Sequence, residues 1–368
     1  MPLIDTPMDE STPWLIAALH ERCHRAGNGL ILDSLSDNEP LWCCPLSAFE
    51  KWYIELEAEL NQTLGRRLAH AAAESEEIRW THAPPLPSAW FKQQSKRIAT
   101  VNSDWAIRGL GQIGLLESKE EGVSLIVGNR AHTAIAAGMA NAAWECIQGQ
   151  RFRFQWSDRG ASETLVDITT DSRNIPSPSP TESDWTNLTN DDVEHELLFE
   201  RARHELDGVW TVEGNRTVLL HRDLLLRFEM LTIPYLANVP RSSDSRFEWK
   251  GVDDVELLVY WDGAAESARK QFLASGDLAL IASPDHWIGI SHQYLAKQGL
   301  GLITDVESID DYGGVRIKLG GVFHPPLVVG RLVGCWERAE GRSARAEWSS
   351  DEGGCEIILC SRREISTE

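Results

Sequence analysis

Residues 122–157, GVSLIVGNRAHTAIAAGMANAAWECIQGQRFRFQWS, and residues 314–349, GVRIKLGGVFHPPLVVGRLVGCWERAEGRSARAEWS, align without a gap at an offset of 192. Eleven of the 36 positions are identical, among them Gly138/Gly330, Trp144/Trp336, Glu145/Glu337 and Trp156/Trp348. Unrelated stretches of ordinary composition would share about two. Upstream the offset becomes 190, where Gly109, Leu110 and Gly111 match Gly299, Leu300 and Gly301. Nearer the start of each unit an offset of 179 pairs Leu19 with Leu198, Gly29 with Gly208 and Phe49 with Phe228. The chain therefore reads as a tandem duplication. The first unit covers 12–173 and the second 190–363. Between them, 174–189 is rich in Pro and Ser, which favours an extended, solvated linker.

Working outward in the second unit, 191–208 has a helical pattern ending at Gly208, and 221–239 has a more apolar one ending before Pro240. Residues 257–276 read as a strand or turn followed by a helix. GLGLITDV and VRIKLG form a hairpin, because Val315, Ile317 and Leu319 alternate with Arg316 and Lys318. Pro325-Pro326 opens a helix, where missing N–H groups cost nothing, and Gly341 ends it. A second hairpin follows, ARAEW to CEIILC. Each unit is thus helices, then hairpin, helix, hairpin. The fold class is α+β, with an antiparallel sheet of about four strands per unit, and not a βαβ nucleotide-binding rhythm.

The 368 residues are 42% apolar and 25% charged, ordinary for a globular protein. Thirty-five basic against 56 acidic residues give a net charge of −21, which repels nucleic-acid phosphates and anionic membranes. No apolar run reaches membrane-spanning length and no signal peptide is visible, so no membrane insertion is expected. Seven cysteines, an odd number without zinc spacing, suit a reducing cytosol. No metal site is expected: HERCH (20–24) places His20, Cys23 and His24 on one helical turn, but the second unit has Phe199, Ala202 and Arg203 there. No nucleophile elbow, P-loop or HExxH motif occurs, so no catalytic residue and no cofactor is assigned.

FHPPLVVGRLVGCWERAEGRSARAEWSSDEGGCEIILC (323–360) resembles the C-terminal part of the vinyl-4-reductase, or hydrocarbon-binding, domain family. The shared pattern is a helix with G-x-x-x-G and an acidic residue ending at Gly, then a strand, a polar turn ending G-x-C, and a last strand. The first unit is similar but lacks the late cysteine. The resemblance implies an α+β domain, commonly paired or dimeric, among ligand sensors, tetrapyrrole-associated proteins and interaction scaffolds.

The repeated helix supplies the candidate ligand-binding residues. Gly138, Ala142 and Glu145, like Gly330, Gly334 and Glu337, fall on one stripe. They read either as a ligand wall with an anionic anchor, or as close packing with the glutamate satisfied by Arg153/Arg345 or backbone N–H. Trp144, Trp336, Trp156 and Trp348 would line an apolar pocket or simply form core. His132 and His324, at the helix start, would bind a metal or polarise a ligand as neutral rings, or cap the helix or serve the turn. Three functions fit: a pseudo-dimeric binder or sensor of a hydrophobic or cyclic small molecule, an assembly scaffold with a protein partner, and an enzyme of unrecognised type.

Overall fold

The computed structural model describes residues 12–88, 92–170, 176–183, 185, 187 and 198–362. The first half runs α1 (Thr12–Arg22), β1 (Cys23–Arg25), β2 (Ile31–Asp33), β3 (Glu39–Pro45), α2 (Leu46–Leu60), α3 (Gly65–His82) and α4 (Gln93–Arg108). It continues with β4 (Gln112–Lys119), β5 (Gly122–Gly128), α5 (Thr133–Gln148), β6 (Phe152–Asp158) and β7 (Thr164–Thr170). The second half begins with a 3₁₀ turn, Leu198–Arg201, then β8 (Ala202–Leu206), β9 (Val209–Val212), β10 (Asn215–His221), α6 (Arg222–Thr232) and β11 (Phe247–Trp249). After these come α7 (Val255–Ser275), α8 (His286–Tyr294), β12 (Gly301–Ser308), β13 (Val315–Val322), α9 (Pro325–Glu340), β14 (Ala344–Asp351) and β15 (Gly354–Ser361).

The class is α+β, and the hairpin–helix–hairpin pattern forms as its residues dictate. In β13 Val315, Ile317 and Leu319 are buried while Lys318 is exposed, so one face of the strand meets the core. Pro325 and Pro326 start α9, and left-handed Gly341 closes it, as Gly149 closes α5. The outer sheets have the orders β4-β5-β7-β6 and β11-β14-β15-β13-β12. Apart from β11, the two follow the same succession of strands. α5 and α9 lie on these sheets, and their other faces pack on α3 and α7.

Three expectations are corrected. The helix over 191–208 is, among the described residues, the 3₁₀ turn and β8, because this segment pairs with β9; 191–197 lie outside the described residues. Cys23 and His24 are in strand β1, not on the helix of His20. The stretch 257–275 is helical throughout as part of α7, closed by left-handed Gly276, with the Asp254 carboxylate accepting the Leu257 N–H at 2.9 Å. Within 174–189, residues 176–183 are exposed or half-buried, and two hydrogen bonds anchor them to α6: Arg227 donates to Ser179 O (2.6 Å) and the Thr181 hydroxyl to Asp223 (2.7 Å).

A third sheet joins the halves, with order β1-β2-β3-β10-β9-β8. At its centre β3 and β10 are antiparallel, Cys43 opposite Leu219. Around this seam contacts come in reciprocal pairs. Gly29, at φ +82°, lies so close to Gly301 that a Cβ would approach its carbonyl within 2.5 Å. Gly208, at φ +72°, meets Gly111 O, where a Cβ would come within 2.2 Å. α2 packs on α7 of the other half, and α6 on α3.

Candidate functional site

The eight residues singled out in the sequence lie on the repeated helices and the strands after them. Gly138 faces α3, where a Cβ would stand 1.9 Å from Ala69 O; Gly330 faces α7, where it would stand 2.0 Å from Ala265 O. The small-residue stripe is therefore a close helix–helix crossing. Glu145 accepts from the Phe152 N–H (2.8 Å) and from Arg151 (3.2 Å). Glu337 accepts from the Ala344 N–H (2.9 Å), Arg246 (2.6 Å) and Arg269 (2.6 Å). Each glutamate clamps the start of the next strand to its helix end, with arginines other than Arg153 and Arg345.

Trp144 and Trp336 are buried, and the Trp336 indole N–H donates to Gly313 O at 2.7 Å. Trp348 is buried opposite Trp249, whereas Trp156 is half-buried on the outermost strand β6. His132 packs edge-on to Phe49 and Tyr53, and burial pulls its pKa down to about 4. His324 bonds Glu229 at 3.0 Å and meets Trp185 edge-on. Neither histidine caps its helix through the side chain. At 1.5 Å per residue, His132 and Glu145 are roughly 20 Å apart along α5. The structure thus does not bring these residues to one site.

What it does bring together is a buried ion network that sequence reading missed. Arg22, at the end of α1, binds Asp33 of β2 through two nitrogens (2.9 and 2.6 Å) and Asp104 of α4 (2.8 Å). Asp104 also takes Arg79 of α3 (3.2 Å) and Arg108 (3.0 Å). Glu76 accepts from Arg79 (3.0 Å), Arg108 (2.7 Å) and the Trp105 indole (3.1 Å). His221, from β10 of the other half, reaches Asp33 at 2.8 Å. Arg22, Asp33, Glu76, Arg79, Arg108 and His221 are all buried.

Three guanidinium groups face three carboxylates, so the cluster is neutral before His221 is counted. Burial alone would raise the Asp33 carboxyl, but His221 and Arg22 outweigh it and hold it well below the usual carboxylate range. Glu76 and Asp104 are likewise pushed up by burial and brought lower overall by Arg108 and Arg79. All three carboxylates are thereby held in their ionised form at neutral pH, so the cluster presents a charged wall.

Against this wall lies a cavity of about 200 Å³. Arg79 and His221 of the network line it, together with the carboxylates of Glu39, Asp37 and Asp223. Ser36, Ser75, Thr181 and His82 add polar groups around them. Burial raises the Glu39 carboxyl in spite of nearby Arg222. The Ser36 hydroxyl donates to Asp33 at 3.1 Å, the carboxylate that also receives Arg22 and His221.

The second half does not repeat the network. Carrying Arg22 and Asp33 across at offset 179, Glu76 and Arg79 at 196 (the spacing of Ala69 and Ala265), and Asp104 and Arg108 at 190 gives Arg201, Val212, Phe272, Ser275, Tyr294 and Gln298. That loss of charge at five of the six matched positions was the available sequence signal. It requires alignment of 60–105, a stretch the sequence alone does not align. Among the described residues no group of three or more metal-ligating side chains occurs, and no helix is long and apolar enough to cross a membrane. Compared with known protein-family models, curated proteins and solved structures, the chain matches none.

Proposed function

We propose that the chain is a non-catalytic binding protein, a tandem duplication working as a single-chain pseudo-dimer, that holds a small polar molecule of mixed charge between its halves. The observation that carries this reading is the cavity backed by the Arg22–Asp33–Asp104–Arg79–Glu76–Arg108 network, present in one half and replaced in the other. A prearranged set of buried charges gives orientation without reorganisation, the property of a specific binding site. At about 200 Å³ the cavity is below the size of drug-sized pockets, which suits a molecule of amino-acid dimensions. The small-residue helix faces are closed by α3 and α7, so the polar cavity and not those faces carries the ligand. The matching strand order of the outer sheets and the reciprocal glycine contacts support the duplication. The hairpin–helix–hairpin succession of each half, β4-β5-α5-β6-β7 and β12-β13-α9-β14-β15, supports the resemblance to the vinyl-4-reductase domain family.

The test is native mass spectrometry of the chain purified from its own or a closely related host. The expected result is an added mass of a small metabolite, lost on denaturation, with occupancy reduced at least tenfold by His82→Ala combined with Asp37→Ala on the cavity rim. A bare chain mass, or an adduct indifferent to both substitutions, contradicts the assignment.

A further inference from the structure

The two outer sheets differ at one edge. β14 ends the β12-β13-β15-β14 series and is covered by β11, which runs parallel with Phe247 opposite Ala346 and Trp249 opposite Trp348. The Ala346 N–H donates to Arg246 O and the Lys250 N–H to Trp348 O, both at 2.9 Å. β6 ends the β4-β5-β7-β6 series, and among the described residues no strand pairs with its outer side. The cause is a length difference. α6 and α7 are separated by residues 233–254, which supply β11, whereas α2 and α3 are separated only by 61–64.

The covering segment in the second half shows what such an edge accepts. Phe247 and Trp249 are buried, and the Trp249 indole donates to Asp262 at 2.8 Å. Arg241 pairs with Asp262 (2.8 Å) and Arg246 with Glu266 (3.1 Å), both carboxylates on α7. Lys250 pairs with Glu347 on β14. A basic, aromatic segment thus lies on an acidic helix face. At the matching positions of the first half the charge is reversed or lost: Asp262 becomes Arg66, Glu266 becomes His70 and Glu347 becomes Gln155. With Phe154 and Trp156, these three residues line an open groove of about 680 Å³. Arg66 and His70 along it are exposed. The basic character is local, on a chain of net charge −21.

From this we infer that the groove between α3 and β6 takes an extended segment of a partner protein, adding to the sheet beside β6 as β11 adds beside β14. The segment carries aromatic side chains at alternate positions and acidic residues where β11 and its flanks carry basic ones. Strand addition supplies backbone hydrogen bonds for affinity, and the groove side chains supply specificity. A second copy of this chain is a poor occupant, because two β6 edges would bring Arg66 against its own like.

The probe is a fluorescently labelled synthetic peptide of residues 240–250 carrying R241E, R246E and K250E, with the unaltered 240–250 peptide as the comparison. Titrated onto the full chain and followed by anisotropy, the reversed peptide is expected to bind at least tenfold more tightly than the unaltered one. It should also slow hydrogen exchange of the backbone amides in 152–158. Arg66→Glu, an exposed change whose folding is checked by circular dichroism, is expected to invert the preference. Absence of binding, equal binding of the two peptides, protection elsewhere, or no effect of Arg66→Glu overturns the inference. So does a concentration-dependent dimer that protects 152–158 without peptide, which would give the groove to a second copy.

Discussion

At Gly138 one methyl group decides whether two helices can cross. A Cβ there would lie 1.9 Å from Ala69 O on α3, a backbone atom that cannot swing aside. Gly138→Ala is therefore expected to force α3 and α5 apart and to cost about 3 kcal/mol or more. Gly128→Ala, with nothing within 4 Å of the added atom, should fall within about 0.5 kcal/mol of the parent. Urea midpoints of the two variants make the comparison, and equal midpoints would refute the crossing as described. At this scale the sequence was informative about type and less so about partner. Spacing alone puts Gly138, Ala142 and Glu145 on one stripe, but it is silent on whether a sheet, a ligand or α3 lies opposite. The glutamate's role was half legible: a backbone N–H does satisfy it, yet the arginines are Arg151, Arg246 and Arg269, brought in from other elements.

Between elements, the ion network ties α1, β2, α3, α4 and β10 by charge as well as by packing. Asp33, Glu76 and Asp104 all titrate lower in the folded chain than ordinary carboxylates. The unfolded chain therefore binds more protons as pH falls through about 4, and stability drops with it; above about pH 5 the contribution is fully present. Asp33→Asn leaves Arg22 and His221 short of a buried counter-charge and is expected to cost about 3–5 kcal/mol at pH 7. The gap between parent and variant should narrow progressively in urea melts below about pH 4, because the unfolded parent then takes up a proton that the folded Asp33 carboxyl does not. A gap that widens on acidification would contradict the assignment. None of this was legible along the chain, since Arg22, Asp33, Glu76, Asp104 and His221 lie on five separate elements with no recurring spacing. The hairpins and α9 were legible because their patterns are local. β1–β3 and β8–β10 are short, and β8 was hidden in a helix-like charge pattern, so their pairing partners and not their own periodicity make them strands.

Across the whole molecule the halves are joined through β3 and β10 and through α2 on α7 and α6 on α3. A chain ending at residue 175 would expose the edge of β3, with Leu41, Trp42 and Cys43, and the face of α2 with Trp52, whose indole donates to Ala264 O at 3.1 Å. Such a half is expected to self-associate, replacing the missing half with a copy of itself, and sedimentation across a concentration series would show it. A half that stays monomeric and unfolds cooperatively would speak against the exchange. The same seam sets a schedule for synthesis. β3 includes Pro45, and its partner Thr217 is made much later. At roughly 5–20 residues per second on the ribosome, the nascent strand waits on the order of ten seconds or more for that partner. Throughout that interval a tryptophan-bearing sheet edge stands open to neighbouring nascent chains, so the yield of native protein should rise with chaperone supply and with slower initiation.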